Sequence, residues 1–154
     1  MNLVDELHAI AAALTAAGVR YAVCGGVAVT IHGATRSTKD LDLVIDPTDL
    51  PKVIDAVRPL GYAYLALTMI FDEGTPRERH VQRISKIVGR DHLLLDLLLA
   101  EAAFARSLDD LVMIAFPEGP LAVVSRATLL QMKRLAGRAQ DLADIDKLEA
   151  SDED

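Results

Sequence analysis

The chain has 154 residues, 51% of them hydrophobic and 25% charged, which suits one compact domain with a buried core. Its net charge of −7 argues against broad, nonspecific binding to nucleic acid, and its 4% aromatic content argues against a surface on which single-stranded bases stack. We expect a cytoplasmic protein, because no segment approaches the ~20 apolar residues of a membrane span and the first residues lack a basic signal region.

The first part of the sequence predicts a helix, a strand and a second helix. Apolar residues spaced three and four apart predict an amphipathic helix over residues 3–17, which Gly18 ends. The short apolar stretch VRYAVCG predicts a strand, and GVAVTIHG predicts a short helix that ends at Gly33.

The next predicted strand carries acidic residues in its interior. It follows the polar loop ATRSTK and reads DLDLVID. Because successive side chains of a strand point to opposite faces, Asp40 and Asp42 share one face, while Leu41 and Leu43 share the other.

The following segments predict a helix and then several strands. PTDLPKVIDAVRPLG predicts a helix capped by Thr48 or Asp49. The stretches YAYLALTMIF, HVQRISKIVG and HLLLDLLLA predict strands, with a helix as the alternative for the last. Two short apolar runs around Pro117 and Gly119 predict a hairpin.

Two helices are predicted at the end of the chain. Ser125 caps the helix RATLLQMKRLAG, and Asp141, with Asp144 three residues on, opens the last helix. The whole order predicts an α/β (α+β) domain over residues 1–150, in which helices flank a mixed central sheet and a short helical segment ends the fold. Residues 151–154 form an acidic tail that we expect to fray.

The carboxylates of Asp40 and Asp42 indicate a metal site. Two carboxylates that project together repel each other unless a cation lies between them, and Mg²⁺ binds carboxylate oxygens together with substrate phosphates. Gly25 and Gly26 leave backbone N–H groups unshielded at a helix start, where phosphates dock. The alternative is purely structural: a turn residue, an exposed aspartate and glycines that allow a tight turn.

The combination of these motifs resembles a known signature. VCGGVAVTIHGATRSTKDLDLVI resembles the DNA-polymerase-beta-like nucleotidyltransferase superfamily, in which a strand ends in Gly-Gly or Gly-Ser and an acid-apolar-acid strand follows a short helix. HGATRSTKDLDL is especially similar to bacterial stand-alone members related to abortive-infection toxins of type IV toxin–antitoxin systems. VVSRATLLQMKRLAGRAQDLADIDKL is similar to the C-terminal pattern of the same proteins.

The resemblance implies the nucleotidyltransferase fold, an NTP substrate and Mg²⁺ or Mn²⁺ as cofactor. Gly25 and Gly26 would hold the triphosphate, and Asp40 and Asp42 would bind the metal ions. Asp96 would complete the metal site or accept the proton of the attacking hydroxyl. A carboxylate among leucines is costly to bury, so we expect something to compensate the charge of Asp96.

The basic candidates carry two interpretations each. Arg36 and Lys39 flank the aspartates and either contact phosphate or are solvated. Lys133 matches a lysine of the resembled pattern and either contacts phosphate or faces solvent. Asp141 and Asp144 match acidic residues of that pattern, but we favour a capping role for them.

Cys24 and His32 are interpreted as structural residues. A single cysteine in an apolar run is typical of a core position, and His32 has no acid–base partner nearby in the sequence. The stretch CGGVAV lacks the glycine spacing of the P-loop and of dinucleotide-binding proteins, so those classes are excluded.

The leading hypothesis is a metal-dependent nucleotidyltransferase that moves NMP from an NTP to a hydroxyl of RNA or tRNA, a protein or a small molecule. A toxin with a cognate antitoxin is one form of it, and a catalytically inactive binding or antitoxin-like partner is the alternative. A tRNA acceptor would bind through the basic segment, residues 77–90. Its basic residues are Arg77, Arg79, Arg83, Lys86 and Arg90.

Overall fold

The computed structural model describes residues 2–33 and 40–153, with side chains as far as Ala150. The helices are α1 (Leu3–Ala16), α2 (Gly25–Ile31), α3 (Leu50–Val57), α4 (Arg126–Ala136) and α5 (Ala139–Glu153). The strands are β1 (Tyr21–Cys24), β2 (Asp40–Ile45), β3 (Tyr64–Leu65), β4 (Met69–Phe71), β5 (Arg79–Val88), β6 (Asp91–Leu99), β7 (Leu111–Ile114) and β8 (Leu121–Val124).

The strands form a mixed sheet in the order β3-β5-β6-β2-β1-β8-β7, and β4 pairs with β5 beside β3. The pairs β2–β6 and β1–β8 are parallel, and the other neighbours are antiparallel. The predicted fold class is therefore confirmed: a mixed sheet is flanked by helices and followed by a C-terminal helix. No helix in the described ranges is long and apolar enough to cross a membrane.

The two faces of the central strands differ in chemistry. On one face of β2 and β6, Leu41, Leu43 and Leu97 are at most 1% exposed and belong to the hydrophobic core. The same core includes Leu7 and Leu14 of α1. The alternation of each strand then turns Asp40, Asp42 and Asp96 to the opposite face. The leucines of the core therefore fix the direction in which the acidic residues point.

The N-terminal elements agree with the predicted ones. Asn2 caps α1, because its side chain accepts a hydrogen bond of 2.9 Å from the N–H of Val4. Gly18 follows α1 with a φ of +72°, and α2 ends at Ile31, with His32 as its C-cap just before Gly33. The predicted loop at residues 34–39 lies outside the described residues.

The helix predicted after β2 begins differently. Asp46 caps the first turn and accepts from the N–H of Thr48 at 2.9 Å, so Thr48 is not the cap. Asp49 stands at the position before α3, as one of the two predictions had it, but its side chain makes no capping hydrogen bond. The first turn is a 3₁₀ turn, Pro47–Asp49, which continues into α3 at Leu50. Proline lacks an N–H, so it fits the first position of this turn, directly after the capping aspartate.

Two further segments refine the strand predictions. YAYLALTMIF is divided into β3 and β4, because the side chain of Gln82 donates to the carbonyl of Ala66 at 2.7 Å and accepts from the Thr68 hydroxyl at 3.0 Å between them. The segment HLLLDLLLA lies in β6 and pairs along its length with β5, which excludes the helical alternative. The backbone of α5 continues to Glu153, so most of the acidic tail is helical.

A core leucine of β6 should contribute strongly to stability. Leu97 is completely buried, so Leu97→Ala removes apolar contacts and leaves a cavity. We expect a loss of about 3 kcal/mol in the free energy of unfolding, measured by urea titration. Leu67 is 91% exposed, so Leu67→Ala should change it by less than about 0.5 kcal/mol. Equal effects of the two substitutions would contradict the assignment of this core.

Candidate active site

A row of side chains crosses four neighbouring strands on the polar face of the sheet. Cys24 of β1 pairs with Asp42 of β2, Asp42 with Asp96 of β6, and Asp96 with Arg83 of β5. Residues that pair directly across a sheet project to the same side, so these side chains are neighbours. Asp40 lies two residues before Asp42 and therefore on the same face.

The charged members of this row, Asp40, Asp42, Asp96 and Arg83, form the floor of a pocket of about 440 Å³. The helix α4 lies across it and contributes Leu129, Met132 and Lys133 to the wall. The pocket brings together the sequence-predicted site residues Gly25, Gly26, Asp40, Asp42, Asp96 and Lys133. Arg36 and Lys39 lie outside the described residues.

The turn at Gly25 is built around the side chain of Asp42. Gly25 has a φ of +65°, a conformation that residues with a Cβ rarely adopt. A Cβ at this position would lie 2.6 Å from Cγ of Asp42, far inside contact distance. Glycine is therefore required here twice, for its backbone conformation and for the space that the carboxylate occupies.

The carboxyl group of Asp42 resists ionisation. Partial burial and then the neighbouring carboxylates of Asp96 and Asp40 raise the pKa of Asp42 from 3.8 to about 7. Lys133 and Arg138 act in the opposite direction, and their effect is smaller. At neutral pH the pocket thus holds crowded acidic groups that a cation would stabilise.

Arg83 compensates the charge of Asp96. The Nε and Nη2 atoms of Arg83 donate to the two carboxylate oxygens of Asp96 at 2.8 and 2.9 Å. Asp96 is only 8% exposed, and this paired geometry is the strongest form of arginine–carboxylate contact. The sequence predicted that some group compensates Asp96, and the structure identifies it as Arg83, whose own pKa this hydrogen bond raises.

Lys133 is a buried residue that two aspartates hold. Its Nζ atom lies 3.3 Å from Asp141 Oδ1 and 3.0 Å from Asp144 Oδ2. All three residues are at most 6% exposed, so the interpretation of Lys133 as a solvent-facing helix residue is wrong. The side chain of Asp141 also accepts from the N–H of Arg138 at 3.2 Å. Because α5 begins at Ala139, Asp141 stabilises the helix start from its third position and is not the residue before the helix.

Among the acidic residues of the pocket, Asp40 and Asp42 are suitable ligands for a divalent cation. In the described part of the chain, no group of three or more His, Cys, Asp or Glu side chains is arranged as a metal site. Both oxygens of Asp96 bond to Arg83, whereas Asp40 and Asp42 line the pocket on one face. Mg²⁺ commonly takes one or two protein carboxylates and completes its shell with phosphate and water. The pKa of Asp42 is raised by burial and by neighbouring carboxylates, and a bound cation would offset both effects.

The two residues interpreted as structural have structural contacts. Cys24 is fully buried, and burial raises the pKa of its thiol, so the group stays protonated. The Nε2 atom of His32 donates to the carbonyl oxygen of Val124 at 2.9 Å and so ties the end of α2 to β8.

The cations of the basic segment, residues 77–90, are largely engaged within the protein. Arg79 donates to the carbonyl of Leu135 at 2.8 Å and lies 3.3 Å from Asp72. Lys86 pairs with Glu6 at 2.8 Å, and Arg83 holds Asp96. Less positive charge is therefore available to an external anion than the sequence indicates.

Several pocket residues escaped the sequence interpretation. Arg79, Val81 and Arg83 alternate along β5 and face the pocket, together with Met69 and Phe71 of β4. Their spacing of two residues along the predicted strand was enough to predict that Arg79, Val81 and Arg83 share one face. The pairing of Arg83 with Asp96 depends on the register between two strands, and a single sequence does not reveal that register.

Comparisons with solved structures place the fold. ANT(2″)-Ia in complex with adenylyl-2″-tobramycin aligns over 98% of this chain and 90% of its own, with 15% identity and a TM-score of 0.62. The lincosamide antibiotic adenylyltransferase LnuA, with lincomycin bound, aligns over 96% of each chain, with 15% identity and a TM-score of 0.58. A candidate nucleotidyltransferase of Thermotoga maritima, TM1012, covers 94% of this chain and 91% of its own, with 12% identity and a TM-score of 0.62.

The chain therefore has the fold of nucleotidyltransferases, as the sequence motifs predicted. No protein-family profile matches the chain, and no curated protein is significantly similar to it in sequence. At 12–15% identity the structural likeness establishes the fold, and the reaction has to be argued from the site.

The close approach of Gly25 and Asp42 predicts a position-specific effect of alanine. Gly18 has a similar φ of +72° but no atom near its missing Cβ, so Gly18→Ala measures the backbone strain alone. Gly25→Ala adds the collision with Asp42, and we expect it to cost at least about 2 kcal/mol more than Gly18→Ala in urea unfolding. Equal costs would show that Asp42 does not occupy this space.

The pKa of Asp42 predicts how stability depends on pH. The unfolded chain ionises this group near 3.8 and the folded chain near 7, so the folded state loses stability as pH rises between these values. In Asp42→Asn the side chain stays neutral at every pH, so the variant escapes this loss. We expect the free energy of unfolding of the variant, minus that of the parent, to be about 2 kcal/mol larger at pH 8 than at pH 5, measured in buffers with EDTA.

A matched control separates this effect from a general change in charge. Asp55 is exposed and pairs with Arg58 at 3.2 Å, so Asp55→Asn should show a difference from the parent that is nearly the same at both pH values. A constant difference for Asp42→Asn as well would contradict the raised pKa.

Proposed function

We propose that the protein is a metal-dependent nucleotidyltransferase, which moves a nucleoside monophosphate from an NTP to a hydroxyl group. The observation that carries the proposal is the meeting of the Gly25–Gly26 turn with Asp40, Asp42 and Asp96 in one pocket of a nucleotidyltransferase fold. NTPs are abundant in the cytoplasm, where we expect the protein to act.

The triphosphate is proposed to bind at the glycine turn. Without side chains, Gly25 and Gly26 let phosphate oxygens approach the backbone N–H groups. Lys133 lines the same pocket, and its two aspartate partners fix the position of its ammonium group. Arg36 and Lys39 stay predicted phosphate contacts, on the grounds of their positions next to the acidic strand.

Mg²⁺ or Mn²⁺ is proposed to bind between the triphosphate and the carboxylates of Asp40 and Asp42. When bound, such an ion neutralises the negative charge that develops on the transferring and leaving phosphates. Asp96 is either a third ligand or the proton acceptor. The contacts favour the second role, because both its oxygens are already bonded to Arg83 and each keeps one lone pair.

The transfer step follows from these positions. The acceptor oxygen attacks the α-phosphorus. The bond between this phosphorus and the oxygen that bridges the α- and β-phosphates breaks, and pyrophosphate leaves. The hydroxyl proton passes to the carboxylate of Asp96. Arg83 orients this carboxylate through two hydrogen bonds.

A small molecule is the proposed acceptor. Two structures with the same fold, ANT(2″)-Ia and LnuA, contain an adenylylated tobramycin and a bound lincomycin, respectively. The internal pairing of Arg79, Arg83 and Lys86 weighs against a long anionic acceptor such as tRNA.

The sequence motifs support a second class of acceptor. Their resemblance to abortive-infection proteins favours a toxin that modifies RNA, tRNA or a protein and is controlled by a cognate antitoxin. The neighbouring gene would identify such an antitoxin. The inactive-partner alternative predicts that the protein binds no nucleotide at all, which calorimetric titration with Mg²⁺ and each NTP would detect.

Transfer from radiolabelled ATP is the direct test of the proposed reaction. We expect label from [α-³²P]ATP on a hydroxyl acceptor of a panel that includes lincomycin, tobramycin and tRNA, in the presence of Mg²⁺ and not of EDTA. Asp42→Asn should lower the rate on the order of 100-fold or more, because the metal-binding charge is lost. Asp55→Asn removes an exposed carboxylate and should leave the rate unchanged. Unchanged transfer by Asp42→Asn would overturn the assignment.

A further inference from the structure

One half of the pocket has no role in holding the nucleotide phosphates. Its wall is largely apolar and consists of Met69 and Phe71 of β4, Val81 of β5, Leu98 of β6 and Phe104, with the ion pair of Arg79 and Asp72 beside them. We propose that this apolar half is the acceptor subsite and that it takes an uncharged, amphipathic alcohol, with an apolar ring or chain next to the reacting hydroxyl. The direction of binding rests on the proposed transfer reaction.

The order of the strands gives the direction of binding. Across the pocket floor the strands follow as β1, β2, β6, β5 and β4. The glycine turn lies at the β1 end, Asp40 and Asp42 on β2, and Asp96 on β6. A hydroxyl that meets Asp96 and faces the phosphates therefore leaves the rest of its molecule over β5 and β4. That is the apolar half.

The charges around the pocket argue for an uncharged ligand. Every basic side chain that lines it in the described residues already pairs with an acid: Arg79 with Asp72, Arg83 with Asp96, Lys133 with Asp141 and Asp144, and Arg138 with Asp141. Asp72 likewise pairs with Arg79. An anionic acceptor would have to break one of these pairs, and a polycationic one would compete with the proposed metal ion for Asp40 and Asp42, whereas a neutral one leaves both arrangements intact.

Phe71 offers the contact surface for an apolar group. It lines the pocket and is 41% exposed, and the guanidinium of Arg79 lies 5.5 Å from its ring centre. A partly exposed aromatic ring inside a pocket offers apolar contact area to a ligand.

The size of the pocket limits the part of an acceptor that can enter it. Pockets of roughly 300–1,000 Å³ hold one drug-sized ligand. A volume of about 440 Å³ that is shared with a nucleotide leaves room for one ring or a short chain at the apolar end. A folded macromolecule could present only a single side chain or base there.

Methionine methyl groups report binding without any activity. Met69 and Met132 line the pocket, and Met113 of β7 is 64% exposed elsewhere and serves as an internal control. The protein carries ¹³C-methyl methionine, and Mg²⁺ is present with α,β-methylene ATP, which cannot transfer its nucleotide. The probes are 3-phenylpropan-1-ol, glycerol, glycerol 3-phosphate and ethanolamine.

We expect 3-phenylpropan-1-ol to shift the Met69 methyl signal in a saturable way and to leave Met113 unchanged. The three polar alcohols should not shift Met69 at the same concentrations. Phe71→Ser should weaken the binding of 3-phenylpropan-1-ol by about tenfold, because it removes the ring contact. Ile70→Ser is the matched control: Ile70 is similarly exposed on β4, does not line the pocket, and should change binding less than about twofold.

Three results would overturn the subsite. The first is an equal or larger shift of the Met69 signal with a charged alcohol, and the second is undiminished binding of 3-phenylpropan-1-ol by Phe71→Ser. The third is displacement of 3-phenylpropan-1-ol by the ATP analogue, which would assign the apolar wall to the nucleobase. Failure of the proposed reaction is recognised separately. A protein that binds the alcohol at Met69 but neither binds nor uses an NTP would disprove nucleotidyl transfer and keep the apolar subsite.

Discussion

The close packing of Asp42 against the Gly25 turn is the constraint on which the site depends. Strands β1 and β2 pair so that Cys24 lies opposite Asp42, which brings the carboxylate to the residue where the chain turns into α2. Because Leu41 and Leu43 are buried in the core on the other face, the strand cannot slip by one residue without burying its aspartates. Hydrophobic packing therefore fixes the position of a polar site.

The site stores electrostatic strain that the surrounding structure only partly relieves. Asp42 retains a raised pKa although Arg83 pairs with Asp96 and Lys133 pairs with Asp141. These ion pairs stabilise the outer members of the cluster, and the pair of Asp40 and Asp42 stays crowded at its centre. A site that binds a doubly charged ion together with an anionic substrate would have this arrangement, because the ion supplies the missing positive charge.

The sequence revealed the local features of the site and not its long-range contacts. The alternation in DLDLVI correctly predicted a strand with Asp40 and Asp42 on one face, and the motif resemblance predicted the fold. Short-range patterns suffice for such predictions, because strand parity and turn chemistry are local properties. The partner of Asp96, by contrast, lies 13 residues away on a strand whose register no local pattern specifies. The same reason explains why the solvent-facing alternative for Lys133 is wrong: the burial of this side chain depends on the packing of α5 against α4.

We propose that Asp40 and Asp42 bind a divalent metal ion beside a triphosphate at the Gly25–Gly26 turn. A crystal grown with Mn²⁺ and α,β-methylene ATP tests it most directly, because the anomalous signal of manganese locates the ion without ambiguity. We expect an anomalous peak within coordination distance of both carboxylates, with the triphosphate next to the glycine turn. Nucleotide bound elsewhere, or a peak that contacts neither Asp40 nor Asp42, would contradict it.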